Sequence, residues 1–236
     1  MSDALIVLIP SPLLGPFSWS LVGAKIRARG WRTIIPAGLR DPAPREPAWH
    51  QTTAGVLASL SEVPSDRSIV LIGHSNAGPL LPVIGRSVRQ PIAAYLFVDA
   101  RLPHGGKSRL EALDGGDPAV AAERRVALET GRPYPTWTDE DLADVIPDPE
   151  RRRMLLAELH PRGPEYWTER LPQVPGWPNA PCAYLLLSSA YRSEAEDALR
   201  AGWPTRELRA GHFHQLVDPP AVADAVLGLL AECGIR

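Results

Sequence analysis

Short apolar runs alternate with amphipathic stretches of helical length along most of the chain, and this alternation limits the fold more than any other feature. The pattern is typical of parallel strands joined by crossover helices. Because each run is almost wholly apolar, we expect strands that are covered on both faces. The sequence therefore predicts an α/β fold, with a mostly parallel twisted sheet and helices on both faces. The predicted strands are Ala4–Ile9, Thr33–Pro36, Ser68–Ile72, Ala93–Val98, Ala183–Leu187 and Arg206–Leu208. The predicted helices are Phe17–Arg29, Ala48–Ser61, Ala77–Arg89, Glu194–Ala201 and Pro220–Glu232.

The alternation stops between residues 101 and 180. Proline-rich joints there separate helical pieces such as Ala119–Glu129 and Asp139–Leu159. About eighty residues without a strand are too many for a plain connection between two strands of one sheet. We therefore predict a core formed by residues 1–100 and 181–236, with residues 101–180 inserted as a helical lid over one end of the sheet.

Composition and charge exclude several classes of protein. The 25 Lys and Arg residues against 27 Asp and Glu residues give no basic excess, so we expect no nucleic-acid partner. Cys182 and Cys233 form neither a disulfide framework nor a metal-ligand spacing, so we expect a cytoplasmic location, no metal and no cofactor. The N-terminal run MSDALIVLIP is too short to span a membrane and has an acidic residue where a signal peptide is positively charged. We expect a soluble protein that acts on a small molecule, with its oligomeric state, monomer or homodimer, left open.

The run SIVLIGHSNAGP at residues 68–79 places a serine directly after an apolar strand, with small residues around it. Gly-x-Ser-x-small-Gly between a strand and a helix is the nucleophile elbow. Because the backbone turns sharply there, Gly73, Ala77 and Gly78 must be small. The turn raises the Ser75 hydroxyl above the sheet, where it can act as a nucleophile. The alternative is an ordinary strand-to-helix turn with no catalytic role. The apolar strand before the serine and the predicted helix after it favour the elbow.

The chain resembles the α/β-hydrolase superfamily over nearly its whole length. The resemblance rests on three segments in the right order, which are LIVLIP followed by SPLLGPFSW, then GHSNAG, then AGHFHQLVDPPAVADAVLGLL. It implies that Ala4 begins the third strand of the full fold, so that the usual N-terminal antiparallel hairpin is missing. It also implies a Ser-His-acid triad with Ser75 as nucleophile.

The resemblance also indicates the base and the acid. His212 follows the last strand after a glycine, as the catalytic histidine of the family does, and His214 is then a residue of the pocket or its surroundings. The loop after the penultimate strand has no carboxylate at the usual position of the acid. Asp99, at the end of the strand that follows the elbow, occupies the alternative position that some members use. If Asp99 is only structural, Glu194 is the next candidate for the acid.

The oxyanion hole departs from the family pattern. One donor should be the N–H of Asn76, the residue after the nucleophile. The triplet that normally supplies the second donor is Pro10-Ser11-Pro12, and a proline has no N–H. Either the Leu13 N–H takes this role, or the Ser11 hydroxyl does, or the site does not stabilise a full tetrahedral oxyanion.

These residues favour a serine hydrolase that cleaves an ester, thioester or lactone through an acyl-enzyme. The aromatic residues of the insertion together suggest a small apolar or aromatic substrate, although core packing is the better explanation of each one taken singly. One alternative is a lyase or biosynthetic cyclase, similar in fold, that uses the same Ser-His pair only to transfer protons; another is an inactive relative that merely binds a ligand. The candidate pocket residues are Ser11, Pro12, Trp137, Tyr166, Trp167 and His214.

Overall fold

The computed structural model describes residues 4–37, 46–113, 122, 125, 126 and 128–236. Within these residues six parallel strands form one sheet in the order β2-β1-β3-β4-β5-β6. The strand order reverses between β1 and β3, and in open α/β sheets ligands bind beside the carboxyl ends of the strands at such a point. The strands are β1 Leu5–Ile9, β2 Arg32–Ile34, β3 Ile69–His74, β4 Ile92–Val98, β5 Cys182–Leu186 and β6 Thr205–Glu207.

All six predicted strands are present, with ends that differ by one or two residues. The four inner strands β1, β3, β4 and β5 are almost wholly buried, as their apolar composition predicts. The edge strands β2 and β6 are only three residues long and partly exposed. A short edge strand limits the unpaired backbone that another chain could pair with.

Helices cover both faces of the sheet, as predicted. The first helix, Phe17–Ala28, and the last, Pro219–Glu232, pack on one face through a cluster that includes Trp19 and Val226. The helices Ala48–Ser59, Leu81–Ser87 (α3) and Arg192–Arg200 pack on the other face. Residues Ser75–Leu80 form a 3₁₀ turn before α3, where the sequence predicts one helix from Ala77. Pro79 and Pro82 explain the difference, because neither residue has an N–H to donate to a helical hydrogen bond. The core helices are α1 Phe17–Ala28, α2 Ala48–Ser59, α3 Leu81–Ser87, α8 Arg192–Arg200, α9 His214–Val217 and α10 Pro219–Glu232.

The described part of the segment between β4 and β5 contains short helices and no strand of the sheet. The predicted helix Asp139–Leu159 is two helices, because Pro147 and Pro149 interrupt it and Asp148 caps the second one. Most of the predicted helix Ala119–Glu129 lies outside the described residues. The helices of the segment whose bounds the structure describes are α4 Arg109–Leu113, α5 Asp139–Leu142, α6 Pro149–Ala157 and α7 Pro164–Thr168.

This segment packs on the loops that follow β1 and β6. Tyr134 and Leu155 share a buried cluster with Leu13 and Phe213, and the Glu158 carboxylate accepts a hydrogen bond of 2.7 Å from the Phe17 N–H. The segment therefore lies at the carboxyl end of the sheet, where the predicted site residues also lie. That it acts as a lid stays a prediction.

Candidate active site

The turn after β3 is as sharp as the sequence predicts. Ser75 has a φ of 56°, a left-handed backbone conformation that residues other than glycine rarely adopt. A Cβ on Gly73 would lie 3.0 Å from the Leu81 side chain, and one on Gly78 would lie 2.9 Å from the Ala100 Cβ and overlap the Arg101 carbonyl oxygen. The residues that follow β4 thus pack so closely on the turn that Gly78 leaves no room for a Cβ, whereas a Cβ on Gly73 would make only a tight contact.

Asp99 occupies a second strained position, directly after β4. Its φ is 42°. The next residue, Ala100, is held by the Tyr184 hydroxyl, which accepts a hydrogen bond from the Ala100 N–H at 3.1 Å and donates one to the Ala100 oxygen at 2.7 Å. The Leu187 and Ser188 N–H groups both donate to Asp99 Oδ1 at 2.8 Å, and the Ser188 hydroxyl donates to Oδ2 at 2.6 Å. The carboxylate is completely buried and fixed in one orientation.

His212 joins this carboxylate to the serine. Its Nδ1 lies 2.7 Å from Asp99 Oδ2, and its Nε2 lies 3.1 Å from Ser75 Oγ. An ionised carboxylate can only accept, so Nδ1 carries the proton and Nε2 is free to accept the proton of the serine hydroxyl. The side chain of His212 is 24% exposed, which leaves this end of the hydrogen-bonded chain open to a ligand.

The carboxylate is held in its charged form. Burial by itself disfavours the ionised form, but the hydrogen bonds from His212 and Ser188 outweigh it, and the pKa of Asp99 is lowered from its ordinary value. Asp99 therefore remains a hydrogen-bond acceptor for the imidazole throughout the neutral range.

His74, at the variable position of the elbow, packs beneath His212. The two rings are stacked with centroids 4.5 Å apart, and His74 Nε2 lies 3.0 Å from the His212 carbonyl oxygen. Gln215 Nε2 lies 3.4 Å from His74 Nδ1, which fits a neutral ring that donates from Nε2 and accepts at Nδ1. Burial and the nearby His212 lower the pKa of His74 to about 3. His74 is a buried support for the loop that carries His212.

Because His74 is buried and neutral, we expect the free energy of unfolding to decrease in mild acid. In the unfolded chain its pKa is near 6.5 and in the folded chain about 3, so the unfolded state binds the extra proton between these values. We expect His74 to reduce the free energy of unfolding by up to roughly 1.4 kcal/mol for each pH unit below 6.5. Urea unfolding from pH 7 to about pH 4.5, above the ordinary carboxyl range, measures this dependence. The variant His74→Gln should have a flatter profile over that range; parallel profiles for the two proteins would contradict the prediction.

Tyr191, which is not among the predicted site residues, contacts the serine. Its hydroxyl lies 3.2 Å from Ser75 Oγ, and its ring stacks on His212 with centroids 5.1 Å apart and planes 11° from parallel. Burial raises the pKa of Tyr191 to about 12, so the phenol stays protonated. Because Ser75 donates its only proton to His212, Tyr191 must be the donor in its bond to Ser75. The one signal in the sequence was its place in the loop after β5, near the usual position of the acid.

The loop after β1 forms a turn that uses its own N–H groups. The Leu13 N–H is directed to Ser11 Oγ at 3.4 Å, and the Leu14 N–H donates to the Ser11 oxygen at 2.8 Å. The Leu13 N–H is therefore not free for an oxyanion. Ser11 Oγ accepts that bond and keeps a proton to donate. Asn76 lies in the first turn of the 3₁₀ helix, where N–H groups have no acceptor within the helix.

Some of the other predicted pocket residues line a cavity, and the rest pack in the core. Trp167 lines a cavity together with Asn76, whereas Ser11 and Pro12 line a different cavity on the side of the loop that faces α2. Tyr166 is almost wholly buried in the helical segment, and Trp137 packs edge-on against Phe213. These two aromatic residues serve the core of the segment.

His214 and Glu194 lie apart from the hydrogen-bonded chain. His214 begins α9, and no contact described in the structure joins its ring to Ser75 or His212. Glu194 instead accepts bonds from Arg101 Nη1 at 3.1 Å and from the Leu102 N–H at 2.9 Å. Of the two carboxylates considered as the acid, the structure brings only Asp99 to His212.

Two further features bear on the class of protein. In the part of the chain that the structure describes, no three His, Cys, Asp or Glu side chains group together in a way that could hold a metal ion. Nor does any helix of the described ranges combine the length and the apolar character needed to cross a bilayer.

Solved structures resemble this one over almost their whole length. An extracellular α/β-hydrolase from a Paenibacillus species aligns with a TM-score of 0.76 at 17% identity and covers 96% of this chain and 98% of its own. A pyrethroid hydrolase from Sphingobium faniae aligns with a TM-score of 0.71 at 16% identity, covering 95% and 96%. Tomato methylketone synthase I, in complex with β-ketoheptanoate, aligns with a TM-score of 0.72 at 12% identity, covering 99% and 100%. At these identities the likeness establishes the fold.

Comparison at the level of sequence gives the family. A search of curated protein sequences found no match. The model of the alpha/beta hydrolase family, in contrast, matches residues 6–225, which is most of the chain. The match spans the elbow, Asp99 and the His212 loop, and the parallel sheet has the order described above. The chain belongs to the alpha/beta hydrolase family.

Proposed function

We propose that the protein is a serine esterase that works through an acyl-enzyme, with Ser75 as nucleophile, His212 as base and Asp99 as the acid that orients the base. The observation that carries this proposal is the unbroken chain of hydrogen bonds from Asp99 through His212 to Ser75, at 2.7 and 3.1 Å. These are distances at which an imidazole can remove the serine proton as the hydroxyl attacks. Structural relatives named as esterases and hydrolases, including polyneuridine aldehyde esterase, support the same class of reaction.

The proposed reaction follows from these contacts. Ser75 Oγ attacks the ester carbonyl carbon while its proton passes to His212 Nε2, and Asp99 stabilises the resulting imidazolium. His212 then gives the proton to the departing alcohol as the carbon–oxygen bond breaks. A water molecule, deprotonated by the same nitrogen, attacks the acyl carbon; His212 then returns this proton to Ser75 Oγ as the acyl–oxygen bond breaks, which releases the acid and restores Ser75.

Tyr191 compensates in this proposal for the donor that Pro12 cannot supply. The Asn76 N–H is one donor to the oxyanion, and the Leu13 N–H is directed to Ser11. The Tyr191 hydroxyl already donates to Ser75 Oγ at 3.2 Å. When Oγ bonds to carbon it becomes a poorer acceptor, and the phenol proton is free to turn to the oxyanion beside it.

Labelling of the serine tests the proposal. We expect a fluorophosphonate probe to modify the wild-type protein at Ser75, located by peptide mass analysis, and not to modify the variant Ser75→Ala. With p-nitrophenyl acetate, release of p-nitrophenol should show a burst that is stoichiometric with protein. A folded wild-type protein that shows neither labelling nor a burst would disprove the acyl-enzyme.

One observation favours a second candidate, a lyase or cyclase that only transfers protons. Pro12 removes the usual second oxyanion donor, while His212 as base and the protonated Tyr191 as acid flank the same site. Such an enzyme would form no acyl-enzyme and would give no burst with an activated ester. The same experiment therefore separates the two candidates.

A further inference from the structure

A cavity lies beside Asn76, the residue after the nucleophile, and reaches helices α4 and α7 of the helical segment. It is narrow and partly open to solvent, with a volume of about 20 Å³, and its lining includes Asn76, Trp167 and Leu171. The Arg101 guanidinium at its wall lies 5.4 Å from the ring centroid of Tyr191, whose hydroxyl contacts Ser75. A substrate whose carbonyl lies at Ser75 would therefore extend into this cavity.

Basic side chains dominate the wall of the cavity. Among the described residues that line it, none is a carboxylate. The apolar residues there can contact a hydrocarbon chain, whereas the basic residues require an anion or their own counter-ions. The basic lining residues are Arg101, His104, Lys107 and Arg109.

Arg109 is buried with unused donors. Its side chain is 3% exposed, and Nη1 donates to the Glu169 carboxylate at 2.5 Å and to the Tyr166 oxygen at 3.0 Å. In the described part of the chain neither Nε nor Nη2 has a hydrogen-bond acceptor. A buried charged donor without an acceptor is costly, and a ligand that supplies one recovers that cost.

The charge of the region favours a negative ligand. Glu194 balances Arg101 and Glu169 balances Arg109, both from behind the wall. No described residue forms an ion pair with the exposed Lys107 ammonium, so one positive charge remains even when His104 is neutral. An anion in the cavity would meet this charge in surroundings of low dielectric constant, where attraction is strong.

We propose that this cavity binds a carboxylate at the far end of the acyl chain, so that the substrate is the half-ester of a dicarboxylic acid. This inference rests on the serine esterase function proposed above. Arg109 and Lys107 hold the carboxylate, while Trp167, Leu171 and Pro79 contact the methylene groups between it and the scissile ester. The fork of an arginine suits a carboxylate, which can accept two of its hydrogen bonds at once.

Two esters that differ only at the end of the acyl chain test this proposal. Mono-p-nitrophenyl adipate has a terminal carboxylate where p-nitrophenyl hexanoate has a methyl group. We expect kcat/KM of the wild-type protein to favour the adipate ester by roughly tenfold, the size of one charged hydrogen bond. Arg109→Lys keeps the charge beside Glu169 but loses the free donors, and should remove most of that preference.

Lys107→Gln changes an exposed residue and tests the proposal even if the Arg109 variant fails to fold. We expect it to lower the adipate-to-hexanoate ratio by about threefold, as an exposed charge pair would. The matched control is Lys25→Gln, which removes the same charge from the exposed face of α1 and should leave the ratio unchanged. A wild-type ratio of one or less, or a ratio that Lys107→Gln leaves unchanged, would overturn the proposal.

A binding measurement separates this proposal from the esterase function. Calorimetry with the variant Ser75→Ala compares monomethyl adipate with methyl hexanoate and needs no turnover. Tighter binding of the adipate, without turnover of either nitrophenyl ester by the wild type, would support the anion site and disprove the esterase. Turnover of both esters, with equal binding of the two ligands, would support the esterase and disprove the anion site.

Discussion

Replacing Asp99 by asparagine is expected to lower kcat for ester hydrolysis by about 10⁴-fold, a loss of the size that this change causes in a serine protease triad. The reason lies in the contacts of the carboxylate. Oδ1 accepts the Leu187 and Ser188 N–H groups, so the amide oxygen of asparagine would take that position. Its NH₂ group would then replace Oδ2 and donate to His212 Nδ1.

This replacement changes the tautomer of the base. With Nδ1 accepting, the single proton of a neutral His212 moves to Nε2, which faces Ser75 Oγ at 3.1 Å. A protonated Nε2 cannot remove the serine proton, so the nucleophile is not activated. The asparagine is nearly the same size as the aspartate, so folding should be retained, and circular dichroism checks this.

Glu194→Gln is the matched comparison for Asp99→Asn. Both changes turn a buried carboxylate into an amide, but Glu194 is bonded to Arg101 and the Leu102 N–H and not to His212. Breaking this buried ion pair should chiefly lower the free energy of unfolding, by about 3 kcal/mol. Steady-state kinetics of the two variants decides between the acids: if Glu194→Gln loses as much kcat as Asp99→Asn, Asp99 is not the acid.

The sequence predicts the sheet and the elbow because their physical causes are local. A strand that is covered on both faces must be almost wholly apolar, and β1, β4 and β5 are, as is β3 up to Gly73. A backbone that turns sharply at Ser75 needs Gly78, whose added Cβ would overlap other residues, and favours Gly73, where a Cβ would be in tight contact. Asp99 and His212 could be named because their places after β4 and β6 resemble positions of the acid and the base in the α/β-hydrolase superfamily, and the carboxyl ends of parallel strands meet at one edge.

The contact of Tyr191 and the direction of the Leu13 N–H could not be predicted in this way. The Tyr191 ring reaches Ser75, 116 residues away, because the short 3₁₀ turn Ser189–Tyr191 directs it back over His212. The Leu13 N–H is directed to Ser11 Oγ at 3.4 Å, a contact that depends on the local conformation of the loop. Neither contact can be derived from a pattern of residue types. The aromatic residues of the insertion misled for a related reason, since their number cannot show that Tyr166 lies in the core and Trp167 at the cavity.

Removing the hydroxyl of Tyr191 is expected to lower kcat by roughly a hundredfold, the effect of losing one oxyanion donor. Tyr191→Phe keeps the ring that stacks on His212 at 5.1 Å and that faces the Arg101 guanidinium at 5.4 Å. The base therefore keeps its support, and only the proton directed at Ser75 is lost. Because the oxyanion exists only after attack, the loss should fall on kcat, with KM changed little.

Tyr95→Phe is the matched control, since it removes a hydroxyl that donates to Asn179, and no hydrogen bond among the described residues joins that hydroxyl to Ser75, His212 or Asp99. Its kcat should equal that of the wild type. If Tyr191→Phe also keeps kcat within about twofold, well short of the effect of a lost donor, the phenol only packs against the base. The Ser11 hydroxyl would then be the remaining donor on that side of the site.

If Tyr191→Phe raised KM with kcat unchanged, the Tyr191 hydroxyl would bind the substrate itself, because an interaction made equally in the ground state and the transition state affects only KM.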